Sequence, residues 1–502
     1  MNSWAERLWG KKATALYLMM AAAVMLLTCL GGREIWTQEH RWADIVSAMF
    51  FRHDFLHPFL NDVDYYDKPL LSYWLIASFS WITGTLSTTV LRLPSALAGI
   101  LAVWSIYRLG VNIKDKRLGL LAGWLLLTTF YFIFWAKTSS ADMLNMAGSL
   151  FAVVWYADHK NKPGFLNYTI FFLILALTAL CKGLVGIIVP LIAIFPDLMM
   201  RGEWKKQCRF SLIPALIPAI IIYVLPFWAS AHVGGNNYNE SGLYLVYREN
   251  IVRYFQPFDH RGPITTYFIF LPVYLLPWTL FFIPALFSLR ANWKKMSPNS
   301  KWMVWAVFLL FVFFTLSGSR RNYYVLPIVP FAILMTADWI LATGSQFSKR
   351  NIWVGRCVVF FFIAMFLTFD IFQPLYYFNG GMQDFSEKLK TAATKRKPWS
   401  EWQFILLDPE SKTRFYLHLP PNVKNYTIKG SQRNHQTEAA LLEAWPMLKN
   451  NNPNVIYISR KMYEPLLKVL LPNDDVIETL PGVGERLLKI KNNNAPVAFI
   501  PR

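Results

Sequence analysis

Apolar residues recur along the chain in long runs, and short polar segments separate one run from the next. A helix rises about 1.5 Å per residue, so roughly 20 apolar residues cross a bilayer core of about 30 Å. Backbone polar groups must be hydrogen-bonded inside lipid, and runs of this kind must therefore be helices. The pattern predicts eleven spans, at 13–31, 88–110, 118–135, 143–157, 165–181, 184–200, 210–229, 264–288, 302–318, 323–343 and 352–372.

Two connecting segments are long and differ in character from the other loops. The first, 32–87, contains two shorter apolar stretches flanked by Trp and Tyr, Ala43–Phe51 and Leu70–Ile82. This composition predicts helices that lie at the membrane interface. The second segment, 230–263, is polar and aromatic and contains Gly234-Gly235, which predicts a mobile loop over a site.

The pattern changes again near residue 375. Strand-like runs are predicted at Gln403–Leu407, Asn454–Ser459 and Arg486–Lys491, and helical patterns at Gln436–Leu448 and Lys461–Leu470. We therefore expect an all-α polytopic membrane domain over 1–375 and a small soluble α/β domain over 380–502.

Composition supports an integral membrane protein. The 502 residues are 55% hydrophobic and 16% charged, with a mean hydropathy of +0.30. The net charge is +20, and the cations lie in short loops between alternate spans. This distribution is typical of cytoplasmic loops in a membrane protein, and a nucleic-acid-binding protein would instead gather its cations on one face. With the N-terminus inside, an odd number of spans places the C-terminus outside. The four cysteines show no CxxC spacing, and so indicate neither a disulfide framework nor a zinc site.

A second set of charges lies on the outer side of the predicted topology, where the positive-inside rule does not explain them. Charges next to the membrane in such places are candidates for function. The set comprises Arg33, Glu34, Glu39, Arg41, Asp44, Asp62, Asp64, Asp67, Lys68, Lys137, Asp142, Lys182, Arg248, Glu249, Arg253, Asp259, His260, Arg261, Arg320 and Arg321.

These charges form four clusters, which are Gln38–Asp44, Tyr66–Pro69, Asp142 and Ser317–Tyr324. Cations can bind the oxygens of a phosphate, and a carboxylate can act as a base or hold a metal with a histidine. The alternative is that they are snorkelling anchors and loop ion pairs. A transporter would instead place polar groups at mid-span, on broken helices in two related halves.

An ordered series of motifs covers residues 30–345. It comprises Glu39, Arg41, Ala43, Asp44 and Ile45; Tyr65–Pro69 with Leu71 and Tyr73-Trp74; Arg92–Gly99; Lys182–Gly186; Asn250 with Arg253-Tyr254 and His260–Pro263; and Tyr324–Pro330. Because these motifs occur in this order, the chain resembles the GT-C glycosyltransferase superfamily. Within it, the resemblance is to the bacterial lipid A aminoarabinose transferases and their protein O-mannosyltransferase relatives.

The resemblance implies roles for individual residues. Arg41, Lys68, Arg253, Arg321 and Tyr324 would bind the phosphate of the lipid-linked donor. Glu39, Asp67 and Asp142 would be the catalytic carboxylates, and Asp67 with His260 could hold a divalent metal such as Zn, Mg or Mn.

One position departs from the family pattern. Relatives carry an Asp-Glu pair at the start of the first interfacial helix, and here the pair is Gln38-Glu39. Either Glu39 acts as the base, or no strong base is needed because the acceptor is a phosphate, which is already anionic at neutral pH.

The resemblance implies a monomeric bacterial inner-membrane glycosyltransferase with its site and C-terminus in the periplasm. It would move a sugar from undecaprenyl phosphate to a lipid A-like acceptor, without nucleic acid as a partner. Two alternatives stay open, which are transfer to protein Ser or Thr and flipping or transport of a lipid-linked sugar.

Overall fold

The computed structural model describes residues 4–36, 38–60, 63–202, 204–207, 209–233, 247–342, 349–426, 435–450, 452–479, 482–487, 492 and 494–501. The chain forms two compact units, and each is built from separate stretches of sequence. The first contains Met1–Leu30 and Tyr66–Leu367, and the second contains Gly31–Tyr65 and Thr368–Arg502. The segment around Glu39 is therefore part of the same unit as the C-terminal domain.

The first unit is helical. Its α-helices are Trp4–Trp9, Ala15–Leu27, Leu71–Thr83, Thr88–Ile113, Lys116–Leu127, Phe130–Ala136, Ala141–His159, Phe165–Lys182, Val185–Met200, Trp204–Gln207, Leu212–His232, Arg253–Phe255, Thr266–Tyr274, Thr279–Asn292, Pro298–Leu316, Val329–Ala342 and Lys349–Phe366. Arg248–Val252 is a π-helical turn, and Trp293–Lys295 and Asn322–Ile328 are 3-10 helices.

Every predicted span coincides with a helix or with a pair of helices separated by a bend. Within the described ranges, six helices are long and apolar enough to cross a membrane, or eight if each bent pair is one span. The bends are 72° between Lys116–Leu127 and Phe130–Ala136, and 120° between Thr266–Tyr274 and Thr279–Lys295. The protein is thus an integral membrane protein, as predicted, whereas the count of eleven spans stays a prediction.

The two predicted interfacial helices are present as Glu39–Arg52 and Leu71–Thr83. Both end at a residue in the left-handed conformation, His53 and Gly84, which is a common way to terminate a helix. The segment 234–246 of the predicted mobile loop lies outside the described residues.

The second unit contains the α/β domain. A five-stranded sheet has the order Lys424–Tyr426, Gln403–Leu407, Val455–Arg460, Pro496–Pro501, Asp474–Glu478. The first three strands are parallel, with Gln403 opposite Val455, and the last two run antiparallel to their neighbours. A short hairpin pairs Phe59–Leu60 with Val63–Asp64.

Helices cover both faces of this sheet. They are Gly381–Thr394, Thr413–Leu417, His435–Leu448 and Glu464–Leu470, with Gln373–Tyr377 and Val483–Leu487 and 3-10 turns at Trp399–Glu401 and Lys461–Tyr463. On one face Phe385 and Leu389 pack with Leu406 and Ile456. On the other, Tyr463 and Leu467 pack with Leu407, Tyr457 and Phe499. The α/β prediction is confirmed. The strand predicted at Arg486–Lys491 is wrong at residues 486 and 487, which belong to the Val483–Leu487 helix, and residues 488–491 lie outside the described part of the chain.

Candidate active site

The Lys182-Gly183 turn fixes one side of the site. The Phe165–Lys182 helix ends at Gly183, whose φ of +108° suits glycine and few other residues. A side chain at Gly183 would collide with Asn250, whose Oδ1 accepts a hydrogen bond from the Leu184 backbone N–H at 2.8 Å. The turn therefore holds the helical segment that also carries Arg253.

Asp142, Lys182 and Tyr324 join three elements. Ser140 caps the Ala141–His159 helix, and its hydroxyl lies 3.0 Å from Asp142 Oδ2. The other oxygen of Asp142 pairs with the Lys182 ammonium. Lys182 Nζ also lies 4.8 Å from the centroid of the Tyr324 ring, which is cation–π range. Asp142 thus lies beside a predicted donor-binding residue, as a partner of Lys182.

Arg253 lies between two carboxylates. Its Nη1 is 2.7 Å from Glu249 Oε2, and its Nη2 is 2.6 Å from Asp259 Oδ2. Asp259 in turn lies 3.0 Å from His260 Nε2. Burial lowers the pKa of Arg253, but Tyr324, Glu249 and Asp259 more than offset this, so the guanidinium stays charged.

A short backbone ladder brings His260 and Arg321 together. Gly318 N–H donates to the Tyr254 carbonyl at 2.7 Å, and Arg320 N–H donates to the His260 carbonyl at 2.8 Å. Arg321 Nη2 then lies 3.0 Å from His260 Nδ1. Burial first, and then Arg321, lower the pKa of His260 to about 4, although Asp259 opposes them. The imidazole is therefore neutral at physiological pH.

Lys68 belongs to the same group of charges. Its ammonium donates to the Asp67 carbonyl at 2.9 Å. Burial and the nearby Arg253 lower the pKa of Lys68, while Asp67 and Glu249 raise it. Among the described residues neither Lys68 nor Arg321 has a carboxylate ion-pair partner, in contrast to Lys182 and Arg253.

Glu39 and Arg41 lie in the second unit. Glu39 is fully buried and is the first residue of its helix. Its Oε2 accepts from Trp36 N–H at 2.7 Å and lies 3.3 Å from Arg33 Nη2. Arg41 is exposed, with Nη1 at 3.4 Å from the Tyr65 hydroxyl.

The geometry around His260 does not fit a metal ion. Arg321 Nη2 lies against both ring nitrogens and Asp259 lies against Nε2, so a cation at this place would face Arg321 at close range. No group of three or more His, Cys, Asp or Glu that could hold a metal occurs in the parts of the chain that the structure describes. The Asp67–His260 metal pair stays a prediction.

Two further cations, Arg92 and Lys137, have structural roles. Arg92 Nη1 donates to the Leu30 carbonyl at 2.8 Å. Lys137 Nζ donates to the carbonyls of Met25 at 3.0 Å and Thr28 at 2.8 Å. They satisfy carbonyls at and beyond the C-terminus of the Ala15–Leu27 helix, where cations are favourable.

Sequence reasoning assigned no role to Lys182, Glu249 or Asp259, although all three were recognised as outer-side charges. The signal that could have identified them is spacing. Glu249 and Arg253 are four residues apart on one helical face, and Lys182 precedes a glycine within a recognised motif.

The fold is the GT-C fold. Over 97% of both chains the structure matches ArnT from Cupriavidus metallidurans, which was solved bound to undecaprenyl phosphate, with a TM-score of 0.71 and 16% sequence identity. It also matches the Archaeoglobus fulgidus oligosaccharyltransferase, with a TM-score of 0.55 and 12% identity over 91% of this chain and 70% of that one. The predicted fold class is confirmed.

Sequence comparison agrees with the predicted resemblance. Residues 67–229 match the family described as dolichyl-phosphate-mannose-protein mannosyltransferase. The chain is also 26% identical over 358 residues to the undecaprenyl phosphate-alpha-4-amino-4-deoxy-L-arabinose arabinosyl transferase of Pectobacterium atrosepticum. That alignment covers 68% of this chain and 63% of the relative, which is less than two thirds of the relative's length.

Proposed function

We propose that the protein is an inner-membrane glycosyltransferase that moves a sugar from an undecaprenyl-phosphate donor to a lipid A-like acceptor at the periplasmic face. The observation that carries the proposal is the pair of cations, Lys68 and Arg321, that donate to neutral groups within a partly buried cluster of charges. The names of similar proteins support the choice of donor and sugar class.

A phosphate suits these two cations. Lys68 can supply a compact point charge and Arg321 a planar fork of donors, without first leaving a carboxylate partner. His260 stays neutral beside them, so it neither adds charge nor competes for the phosphate as a cation. Arg253, Lys182 and Tyr324 complete the surroundings and are held in place by Glu249, Asp259 and Asp142.

The reaction needs charge stabilisation at the leaving group. An acceptor oxygen forms a bond to the anomeric carbon, and the bond from that carbon to the phosphate oxygen breaks. The lipid phosphate leaves with the electron pair, and Lys68 and Arg321 stabilise the charge that develops on its oxygens. If the acceptor is a hydroxyl, its proton passes to a carboxylate, with Glu39, Asp67 and Asp142 as the candidates.

Protein Ser or Thr is the second candidate acceptor. The match of residues 67–229 to the protein mannosyltransferase family supports it. A phosphate-bearing glycolipid is the better candidate, because Gln38 occupies the position of the usual catalytic Asp and a phosphate acceptor needs no strong base. Transport of a lipid-linked sugar has no comparable support from the site.

Mass spectrometry of lipid A from cells with and without the gene tests the acceptor directly. We expect a sugar-sized mass increment that requires the gene and disappears in the Lys68→Ala variant. If lipid A is unchanged and periplasmic proteins carry the sugar instead, the acceptor is protein and not lipid A. Purified protein that moves the intact donor across liposomes and transfers no sugar would overturn the enzyme assignment.

A further inference from the structure

The segment that carries Glu39 and Arg41 is folded together with the C-terminal domain. Gly31–Tyr65 and Thr368–Arg502 form one compact unit, although more than 300 residues of chain separate them. Within this unit, one short stretch near the Thr413–Leu417 helix contacts the segment Gly31–Tyr65. The contacts come from three alternate residues, Lys412, Arg414 and Tyr416.

Glu34 is the strongest link. Its Oε1 accepts from the Met382 backbone N–H at 2.5 Å, in the first turn of the Gly381–Thr394 helix, where a negative charge is favourable. Gly381 has a φ of +74°, and a side chain there would collide with the Glu34 carboxylate. Glu34 Oε2 pairs with Lys412, which also lies 3.2 Å from Glu410.

The Lys412 ammonium is held in its charged form. Burial alone would lower the pKa of Lys412, but Glu34 and Glu410 raise it above its usual value. Removing the ammonium would leave two carboxylates facing each other in a largely buried place, which is a costly arrangement.

The next residues continue the link toward Glu39. Ile35 is buried, and its N–H donates to the Tyr416 hydroxyl at 3.0 Å. Trp36 N–H donates to Glu39 Oε2, and Arg33 pairs with the same oxygen. Residues 33–36 therefore connect the C-terminal domain directly to the Glu39 carboxylate.

Arg414 lies beside the Glu39–Arg52 helix, near Asp44 and Ser47. Its guanidinium is fixed by the carbonyls of Pro421 at 2.9 Å and Val423 at 3.1 Å. With Asp44, Ser47, Phe59 and Leu60 it lines a small cavity. Burial raises the pKa of Asp44 to about 7, although Arg414 lowers it.

We propose that the C-terminal domain is a positioning element for Glu39 and Arg41, with Lys412 and Tyr416 as the positioning residues. The proposal rests on the proposed function. It assigns the domain a role in the transfer reaction itself, because groups near the far end of the chain hold residues 34 and 35, next to the contacts that hold the Glu39 carboxylate.

The test compares Lys412→Met, Lys412→Arg and Tyr416→Phe in the full-length protein, reconstituted in lipid. The matched control is Lys468→Met, which breaks the pair between the exposed Lys468 and Glu464 in the same unit. Two quantities are measured, which are backbone hydrogen exchange and the steady-state rate of sugar transfer from a lipid-linked donor.

We expect Lys412→Met to raise exchange at residues 33–46 by about tenfold or more, while the strands Gln403–Leu407 and Val455–Arg460 stay protected. Transfer should fall by about tenfold or more, and Lys412→Arg should recover most of it. Tyr416→Phe should act in the same direction with a smaller effect. A purely structural role of Lys412 would instead raise exchange across the whole sheet.

Unchanged exchange at residues 33–46 in Lys412→Met would overturn the proposal, and so would raised exchange with full transfer. General loss of protection in the sheet would also overturn it, since the domain would then have unfolded. A wild-type protein that transfers no sugar refutes the proposed function and the positioning role with it. A transferring wild type with a fully active Lys412→Met variant refutes the positioning role alone.

Discussion

The cations of the candidate active site differ in what they contact, and this difference bears on which of them can receive a phosphate. Lys182 and Arg253 are paired with carboxylates, whereas Lys68 and Arg321 donate to a carbonyl and to a neutral imidazole. A cation that is already paired with a carboxylate has part of its charge neutralised, so it attracts a new anion less strongly. The gain from binding a lipid phosphate should therefore be concentrated in Lys68 and Arg321.

The first prediction concerns Lys68. Lys68→Ala should lower turnover by about 10²-fold or more, the typical cost of removing one donor to a developing negative charge. Lys68→Arg should also be impaired, because a larger planar group must fit where a compact ammonium lies. The measurement is turnover with purified lipid-linked donor at matched protein levels. Lys114→Ala is the control, since it removes a cation from the exposed Lys114–Asp338 pair. Full activity of Lys68→Ala would remove Lys68 from the site.

The second prediction separates the two interpretations of the Gln38-Glu39 pair. If Glu39 is the base for a hydroxyl acceptor, Glu39→Gln should cost about 10²–10⁴-fold in turnover while Gln38→Asp changes little. If the acceptor is a phosphate, Glu39→Gln should cost about tenfold or less, and the largest losses should come from Lys68, Arg41 and Arg321. The same turnover assay decides between them. A large Glu39 effect with a product shown to be phosphate-linked contradicts both.

At the scale of elements, turns and short ladders place the charged side chains. Gly183 lets Asn250 approach the end of the Phe165–Lys182 helix, and the pairing of 254–260 with 318–320 places His260 against Arg321. Gly183, Asn250 and the backbone of 318–320 therefore act by placing other residues.

The third prediction follows from that turn. Gly183→Ala should lower transfer by about tenfold or more, because the new methyl group strains a positive φ and displaces Asn250 and with it Arg253. Gly164→Ala is the matched control, since nothing lies within 4 Å of a side chain built there and its φ is extended. Transfer is measured alongside thermal unfolding. Equal activity of the two variants would show that the turn does not position Arg253.

The helices were predictable because long apolar runs leave few alternatives in lipid. The strands Gln403–Leu407 and Val455–Arg460 were predictable for a related reason, since each is a compact apolar run inside a polar region. The prediction of a strand at Arg486–Lys491 fails at its first two residues, because the mixed charged and apolar residues there end the Val483–Leu487 helix. The strand Pro496–Pro501 was missed although it lies inside the sheet, because proline begins and ends it.

The site itself was less predictable than the elements. Motif positions indicated Lys68, Arg253, His260 and Arg321, but pairing depends on contacts between residues far apart in sequence. Asp142 and Lys182 are 40 residues apart, and His260 and Arg321 are 61 apart. The Glu249–Arg253 pair has a local signal, its four-residue spacing, but the Asp142–Lys182 and His260–Arg321 contacts have none.

At the scale of the whole molecule, orientation is the open question with the largest consequence. The distribution of Lys and Arg predicts an inside N-terminus and an outside C-terminus. A periplasm-active reporter fused after Arg502 should therefore be active, and one fused after Arg350 should be silent. The reverse pattern of reporter activity would place every proposed site residue on the cytoplasmic side and refute the proposed location.

The division of the second unit into two distant stretches has a consequence for biosynthesis. The Ile35–Tyr416 hydrogen bond joins residues that are 381 positions apart in the sequence, and the Glu34–Lys412 pair joins residues that are 378 positions apart. At about 5–20 residues per second, synthesis of that interval takes roughly 20 to 75 s. Throughout this time the Glu39–Arg52 helix has no C-terminal partner to fold against. A ribosome that stops before residue 412 releases a chain with its membrane helices complete and its first loop unfinished. Such a chain offers quality-control proteases an early and accessible target.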